Sequence, residues 1–377
     1  MVRIYLDNAA STPLAPQVLE AMLPFFQTHF GNPSSVHAEG RQAKVAIETA
    51  RKYISKQLGS PPKSIIFTSG GTESNNMAIK CAVRDLGIKR IITSPIEHAC
   101  VANAVANVQT YHNIEIEYVK LGPTGAIDLI DLTLLLSKNK GQTLVSLMHA
   151  NNELGTLNNV TKIGLLCKKH GAYFHSDTVQ TIGHLPINTK KLNIDFLSGS
   201  AHKMHGPKGS GFLYINPTIS IKPFIDGGGQ ERQMRSGTEN VANIVGLHQA
   251  FKQATQQMGT WKNDIEALRL YFIKQLTAHF PDIIINSDPQ DYLYTILHVA
   301  FPCTLDLSVL LFRLDLEGIS ASAGSACNSG AIQSSPISDF LDLDHTHKAL
   351  RFSFSHLNTK TEIDKTITIL DKIVTSN

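Results

Sequence analysis

Between about residues 40 and 255 the apolar positions switch repeatedly between a helical period and short continuous runs. Over residues 40–58, Ala43, Ala46, Ile47, Ala50, Ile54 and Leu58 recur at helical spacing, and Gly59 is placed to end the run. Short apolar runs follow at 64–68, 90–93, 143–148, 172–175, 194–197 and 211–215 and read as buried strands. Strands alternating with helices argue for an α/β fold, a doubly wound and mostly parallel sheet covered by helices on both faces. After about residue 255 the pattern changes to a helical stretch around 264–278 and strands near 295–301 and 350–355, which predicts a second, smaller α+β domain. The N-terminal segment is expected to be an extended arm joining it, giving a large domain over 15–255 and a small one from 1–14 and 256–377.

In open sheets of this kind ligands bind beyond the carboxyl ends of the strands, so chemistry is sought in the polar residues after each run. The first five runs lead into Ser69-Gly70-Gly71-Thr72-Glu73, Ser94-Pro95-Ile96-Glu97-His98, His149-Ala150-Asn151-Asn152-Glu153, Asp177-Thr178-Val179-Gln180 and Ser198-Gly199-Ser200-Ala201-His202-Lys203. Random loops seldom place so many anion-binding, acid and base groups at successive strand ends.

Composition removes several alternatives. A chain of 377 residues, at about 100–200 per domain, has room for large cores and is not a small stapled scaffold. The balance of 34 basic against 31 acidic side chains, net +3, offers no basic stripe for nucleic acid. Five cysteines (Cys81, Cys100, Cys167, Cys303, Cys327) lie scattered with no CxxC pair, so neither a disulfide framework nor a zinc ribbon is signalled. No signal-peptide pattern opens the sequence and no run of about 18 apolar residues follows, which leads to the expectation of a cytoplasmic protein with no membrane partner.

Several residues carry two readings each. Ser69-Gly70-Gly71-Thr72 follows a strand and opens a helix, where free N–H groups and the helix dipole favour a phosphate; it is otherwise a glycine turn with Thr72 as an ordinary N-cap. Lys203, after an apolar strand, is placed to be partly desolvated and to offer a neutral amine for a Schiff base, with Lys208 in a glycine-rich loop as its rival. Asp177 suits a heteroaromatic nitrogen or a helix N-cap, Gln180 a ring hydroxyl, and His98 a stacked planar cofactor or a structural site. Cys327 lies among small residues in Gly324-Ser325-Ala326-Cys327-Asn328-Ser329-Gly330, a setting for an accessible nucleophilic thiol, whereas Cys81 and Cys167 are expected to be buried. Arg351, a lone cation on an apolar strand, is either a carboxylate clamp or half of a structural ion pair.

Together these residues resemble the cysteine desulfurases, which belong to the fold type I pyridoxal-phosphate enzymes and their aminotransferase class V branch. The resemblance spans essentially the whole chain. It is carried by Tyr5-Leu6-Asp7-Asn8-Ala9-Ala10, Phe30-Gly31-Asn32-Pro33-Ser34-Ser35, Phe67-Thr68-Ser69-Gly70-Gly71-Thr72-Glu73-Ser74-Asn75-Asn76, Glu97-His98, Asn151-Asn152-Glu153-Leu154-Gly155, His202-Lys203, Met234-Arg235-Ser236-Gly237-Thr238 and Gly324-Ser325-Ala326-Cys327.

The resemblance implies a PLP-dependent enzyme that converts L-cysteine to L-alanine and leaves sulfur on Cys327 as a persulfide. It implies Lys203 as the Schiff-base lysine, Asp177 at the pyridine nitrogen, Gln180 at the ring hydroxyl and His98 stacked on the ring. Gly71, Thr72, Ser200 and His202 would hold the phosphate, with Thr238 reaching it from the other subunit of a homodimer. Asn152 and Arg351 would hold the substrate carboxylate. The implied acceptor is an iron-sulfur scaffold or a tRNA-thiolation enzyme; no resident metal is implied, although Cys327 could touch a cluster transiently. Residues 328–336 depart from the family's commonest loop, and the chain ends about two helical turns after Leu370, so the acceptor partner is open to differ. Selenocysteine lyase or cysteine sulfinate desulfinase activity stays open as an alternative, as does a non-catalytic sulfur-transfer subunit. A zinc hydrolase built on His149, His175 and His202 lacks any HExxH spacing.

Overall fold

A computed structural model describes residues 3–138, 140–302, 305–324, 336–343 and 347–375. After an N-terminal strand β1 (Ile4–Tyr5), seven strands build the main sheet: β2 (Ile65–Thr68), β3 (Arg90–Thr93), β4 (Glu115–Tyr118), β5 (Thr143–Ser146), β6 (Tyr173–Asp177), β7 (Phe196–Ser200) and β8 (Gly211–Ile215). Their order is β2-β8-β7-β6-β5-β3-β4. Only β8 runs against its neighbours, so the carboxyl ends of the other six strands lie along one edge. β2, β3, β5, β7 and β8 are buried throughout, as their short apolar runs require.

β4 was not foreseen. Its Glu115-Ile116-Glu117-Tyr118 is half exposed at the sheet edge, and a partly polar edge strand leaves no apolar run to read. The helix expected over 40–58 spans Ala38–Gln57, and the strand bounds shift by a few residues elsewhere.

The second core gathers around β9 (Ile284–Ile285), β10 (Ile296–Pro302), β11 (Ile319–Ser320) and β12 (His347–Ser353). β12, β10 and β9 form an antiparallel sheet, while β11 pairs in parallel with β1 of the N-terminal segment. The helical stretch around 264–278 is part of a 39-residue helix, Val241–His279. It is roughly 60 Å long and contributes to both cores, with Leu247 and Phe251 in one and Leu268, Phe272 and Leu276 in the other. The expected division near residue 255 therefore falls inside a continuous helix. No described helix is long and apolar enough to cross a membrane.

Candidate active site

A cleft of about 160 Å³ opens beyond the carboxyl ends of β6 and β7. Asp177 is the last residue of β6, and its side chain is buried. Its Oδ2 accepts a 2.6 Å hydrogen bond from Asn75 Nδ2, and its Oδ1 accepts from the Val179 N–H at 2.9 Å and from Ser198 Oγ at 3.4 Å. No helix follows, so the N-cap reading of Asp177 does not hold.

Lys203 ends the single turn that follows β7, and it too lines the cleft. Its Nζ donates to the carbonyls of Ala9 at 2.5 Å and Ala10 at 2.9 Å, while the backbone N–H and Oγ1 of Thr12 both donate to the His202 carbonyl at 2.9 Å. The N-terminal arm thus wraps the turn that carries the amine. Gln180 Nε2 donates to the same Ala9 carbonyl at 3.1 Å. Lys208 is exposed and does not line the cleft.

On the adjoining wall β2 leads through Gly70, in the positive-φ region at 153°, into the 15-residue helix Gly71–Asp85. The helix begins before Thr72, so Thr72 is not its N-cap. A Cβ on Gly71 would lie 2.6 Å from Val179 Cγ2, which makes glycine necessary for the close approach of helix and loop. The first N–H groups of a helix have no partners within it, and its dipole favours an anion there. Thr72, Ser200 and His202 line the same cleft as that helix start. Burial, together with the charges of Lys203 and Lys208, pushes the His202 imidazole down to about 4, so it is neutral at pH 7. In the first turn of the same helix, Glu73 accepts from Arg235 Nε at 2.7 Å and from the Ser69 N–H at 2.8 Å.

His98 caps the helix Ala99–His112 by accepting from the Cys100 N–H at 3.1 Å, and its Nδ1 lies 3.0 Å from Cys100 Sγ. Behind it Glu97 is buried, and burial holds its carboxyl well above the ordinary range while Oε1 accepts from the Met148 N–H at 2.9 Å. Asn152 lines the cleft and offers its carbonyl to Arg351 Nη1 at 2.9 Å. Arg351, 1% exposed, places Nη2 on Asp7 Oδ1 at 2.7 Å, and its buried Nε has no partner among the described residues. The ion pair expected as one reading of Arg351 is therefore present.

Residues 4–366 match the aminotransferase class-V family. The chain belongs to that family. Within it, proteins named cysteine desulfurase IscS from Dictyoglomus turgidum and Methanosarcina thermophila are each 41% identical over 98% of this chain, covering 94% and 92% of those relatives. These similarities place the chain in the cysteine desulfurase branch. A solved NifS-like protein superposes with a TM-score of 0.91 at 34% identity, covering 99% of this chain and 100% of the other. A structure titled SspA in complex with cysteine superposes with a TM-score of 0.80 at 33% identity, covering 93% and 98%. The fold is accordingly the fold type I scaffold of pyridoxal-phosphate enzymes.

Of the site residues named from the sequence, Gly71, Thr72, His98, Asn152, Asp177, Gln180, Ser200, His202 and Lys203 line one cleft. Arg351 stands behind Asn152 and does not line it, and Thr238 is exposed. Cys327 and Cys303 lie outside the described residues. Cys81 and Cys167 are buried, and burial pushes the Cys81 thiol up to about 11. The zinc alternative finds no support, since among the described residues no group of three or more His, Cys, Asp or Glu is arranged to hold a metal. Sequence reasoning missed Asn75 and Cys100 as cleft residues. Asn75 follows Gly71 by four residues on one helix, so its shared face was legible, and Cys100 is only two residues beyond His98.

Proposed function

We propose that the chain is a pyridoxal-phosphate-dependent cysteine desulfurase that releases alanine from L-cysteine and retains the sulfur on Cys327. The observation that carries this reading is the convergence of the Lys203 amine, the Asp177 carboxylate and the start of the helix Gly71–Asp85 on one cleft. That donor set fits the cofactor: an amine for its aldehyde, a carboxylate for its ring nitrogen, and a helix start with two hydroxyls for its phosphate. Bound there, pyridoxal phosphate supplies an electron sink for charge developing at the substrate Cα.

The remaining chemistry belongs to the chain. Asp177 would keep a proton on the ring nitrogen, and Gln180 would face the ring hydroxyl. Gly71, Thr72, Ser200 and His202 hold the phosphate. Lys203 would be the base that moves the proton at Cα, and His98 would pack on the ring and relay protons. Asn152 and Arg351 orient the substrate carboxylate. The Cys327 thiolate attacks the substrate sulfur, forming an S–S bond as the C–S bond breaks; that electron pair stays with the three-carbon fragment, which takes up a proton and leaves as alanine.

In this reading the cleft lies between a cofactor-binding unit, 15–255, and a smaller unit of 1–14 and 256–377. The enzyme works as a homodimer, with the exposed Thr238 reaching the phosphate of the opposite subunit. Exposed apolar side chains at Phe26, Phe30, Val36 and Val45 supply apolar surface for such an interface. The protein is cytoplasmic and passes its sulfur to an acceptor protein such as an iron-sulfur scaffold or a tRNA-thiolation enzyme.

The test separates substrate binding from sulfur capture. Cys327→Ser should still bind the cofactor and change its visible absorbance when L-cysteine is added, because neither needs a thiol. It should release almost no alanine, since a serine hydroxyl is a far poorer nucleophile at neutral pH. Wild-type rates of alanine release from Cys327→Ser would refute the assignment.

A further inference from the structure

A buried chain of polar groups runs beneath the cleft: Ser146 on β5, His175 on β6, Asn75 on the covering helix, and Asp177 at the end of β6. His175 and Asp177 are two residues apart on one strand and so face the same side of the sheet. Ser146 is the register partner of His175. Ser146, His175 and Asn75 are each 0% exposed.

Chemistry fixes the direction of every bond in this chain. An ionised carboxylate only accepts, so the Asn75 atom 2.6 Å from Asp177 Oδ2 is its NH₂ group. Asn75 Oδ1 must then face His175 Nε2, 3.1 Å away, and this bond requires the proton on Nε2. With Nε2 protonated and the ring neutral, Nδ1 is an acceptor, and Ser146 Oγ at 2.8 Å donates to it. Burial pushes the His175 imidazole down to about 4, consistent with a neutral ring at pH 7. Asn75 Nδ2 also lies 3.2 Å from Cys100 Sγ, on the His98 side of the cleft.

Resting on the proposed role of Asp177, we infer that His175 is a positioning residue: through Asn75, and with its own tautomer set by Ser146, it keeps an N–H donor on Asp177. Without His175 the Asn75 oxygen loses the N–H that anchors it, and the amide is held only from its Asp177 side. The donor at Asp177 Oδ2 is then less firmly placed and no longer polarised by the buried network, so the carboxylate grips the cofactor less well. His175 touches neither cofactor nor substrate in this scheme.

The experiment compares His175→Leu, His175→Gln, Ser146→Ala and Asp177→Asn in the full-length protein. It reads cofactor affinity by titration, the visible spectrum of the bound form, and alanine release. His175→Leu should weaken cofactor affinity about 10–100-fold, by analogy with the loss when outer-shell partners of a bound metal are removed, and should alter the spectrum in the same sense as Asp177→Asn. His175→Gln, whose amide N–H can replace Nε2–H, should restore most of the affinity. Ser146→Ala, a mild deletion that leaves the ring free to change tautomer, should show a smaller loss, and it decides the matter should His175→Leu fail to fold. If Asp177→Asn matches wild type, the assigned role of Asp177 falls and the relay with it. If Asp177→Asn is impaired while His175→Leu, or Ser146→Ala in its place, matches wild type, the relay alone is overturned.

Discussion

The cleft at its Asp177 end and the Arg351 cluster behind Asn152 are built in opposite ways. At the Asp177 end the partners come from neighbouring strands of one sheet and the helix that covers them, and both carboxylate oxygens are supplied with donors. At the Arg351 end the parts come from distant stretches of chain. Asp7 and Arg351 are 344 residues apart, Asn152 arrives from the loop after β5, and Ser322 pairs with the Arg351 backbone. There one donor, Arg351 Nε, is left buried without a partner among the described residues. The first end is preorganised by the core of the sheet, whereas the second exists only when the N-terminal arm and β12 dock. In the proposed reading, the first end is suited to hold the cofactor rigidly and the second keeps hydrogen-bonding capacity for the substrate.

The largest effect expected from this contrast is one the two ends share. Each rests on a histidine that burial keeps neutral: His175 beneath Asp177, pushed down to about 4, and His298 opposite Arg351 in the sheet register, pushed down to about 3. In the unfolded chain a histidine titrates near 6.5. Below that pH the unfolded state takes up protons that the folded state refuses, so stability is full above about 6.5 and falls as pH drops toward 4 and then 3. Each histidine contributes a slope of up to about 1.4 kcal/mol per pH unit within its window. Urea unfolding at pH 7.5, 6, 5 and 4 should show a progressively lower midpoint; a midpoint constant down to pH 4 would mean that neither histidine is held neutral.

A smaller effect separates the ends. Arg351→Lys keeps the positive charge but not the planar fork, so it cannot serve Asp7, the Asn152 carbonyl and a substrate carboxylate together. The KM for L-cysteine should rise about 10–100-fold with a lesser change in kcat, and cofactor affinity should stay near wild type. Equal losses of cofactor and substrate binding would show that the two ends are one coupled unit.

The difference also explains what the sequence made legible. Strands buried on both faces write continuous apolar runs, and the rule that chemistry follows their carboxyl ends led directly to Asp177, Ser200 and Lys203. Contacts between the ends of the chain leave no such trace. Nothing in Asp7 or Arg351 taken alone announces that they pair, and β4 was hidden because an edge strand with two glutamates carries no apolar run. Asn75 was missed although it lies in a quoted motif, because its importance comes from His175, a residue 100 positions away. The long helix Val241–His279 was read only in its second half, since it serves two cores and presents no single apolar stripe.

In the proposed function the cleft carries pyridoxal phosphate on Lys203. Reduction of the cofactor-loaded protein with borohydride, followed by peptide mass spectrometry, tests it most directly by fixing the cofactor to the amine that holds it. One lysine, Lys203, should carry the modification, with Lys208 unmodified. A cofactor fixed to Lys208, or spread over surface lysines with Lys203 untouched, would contradict it.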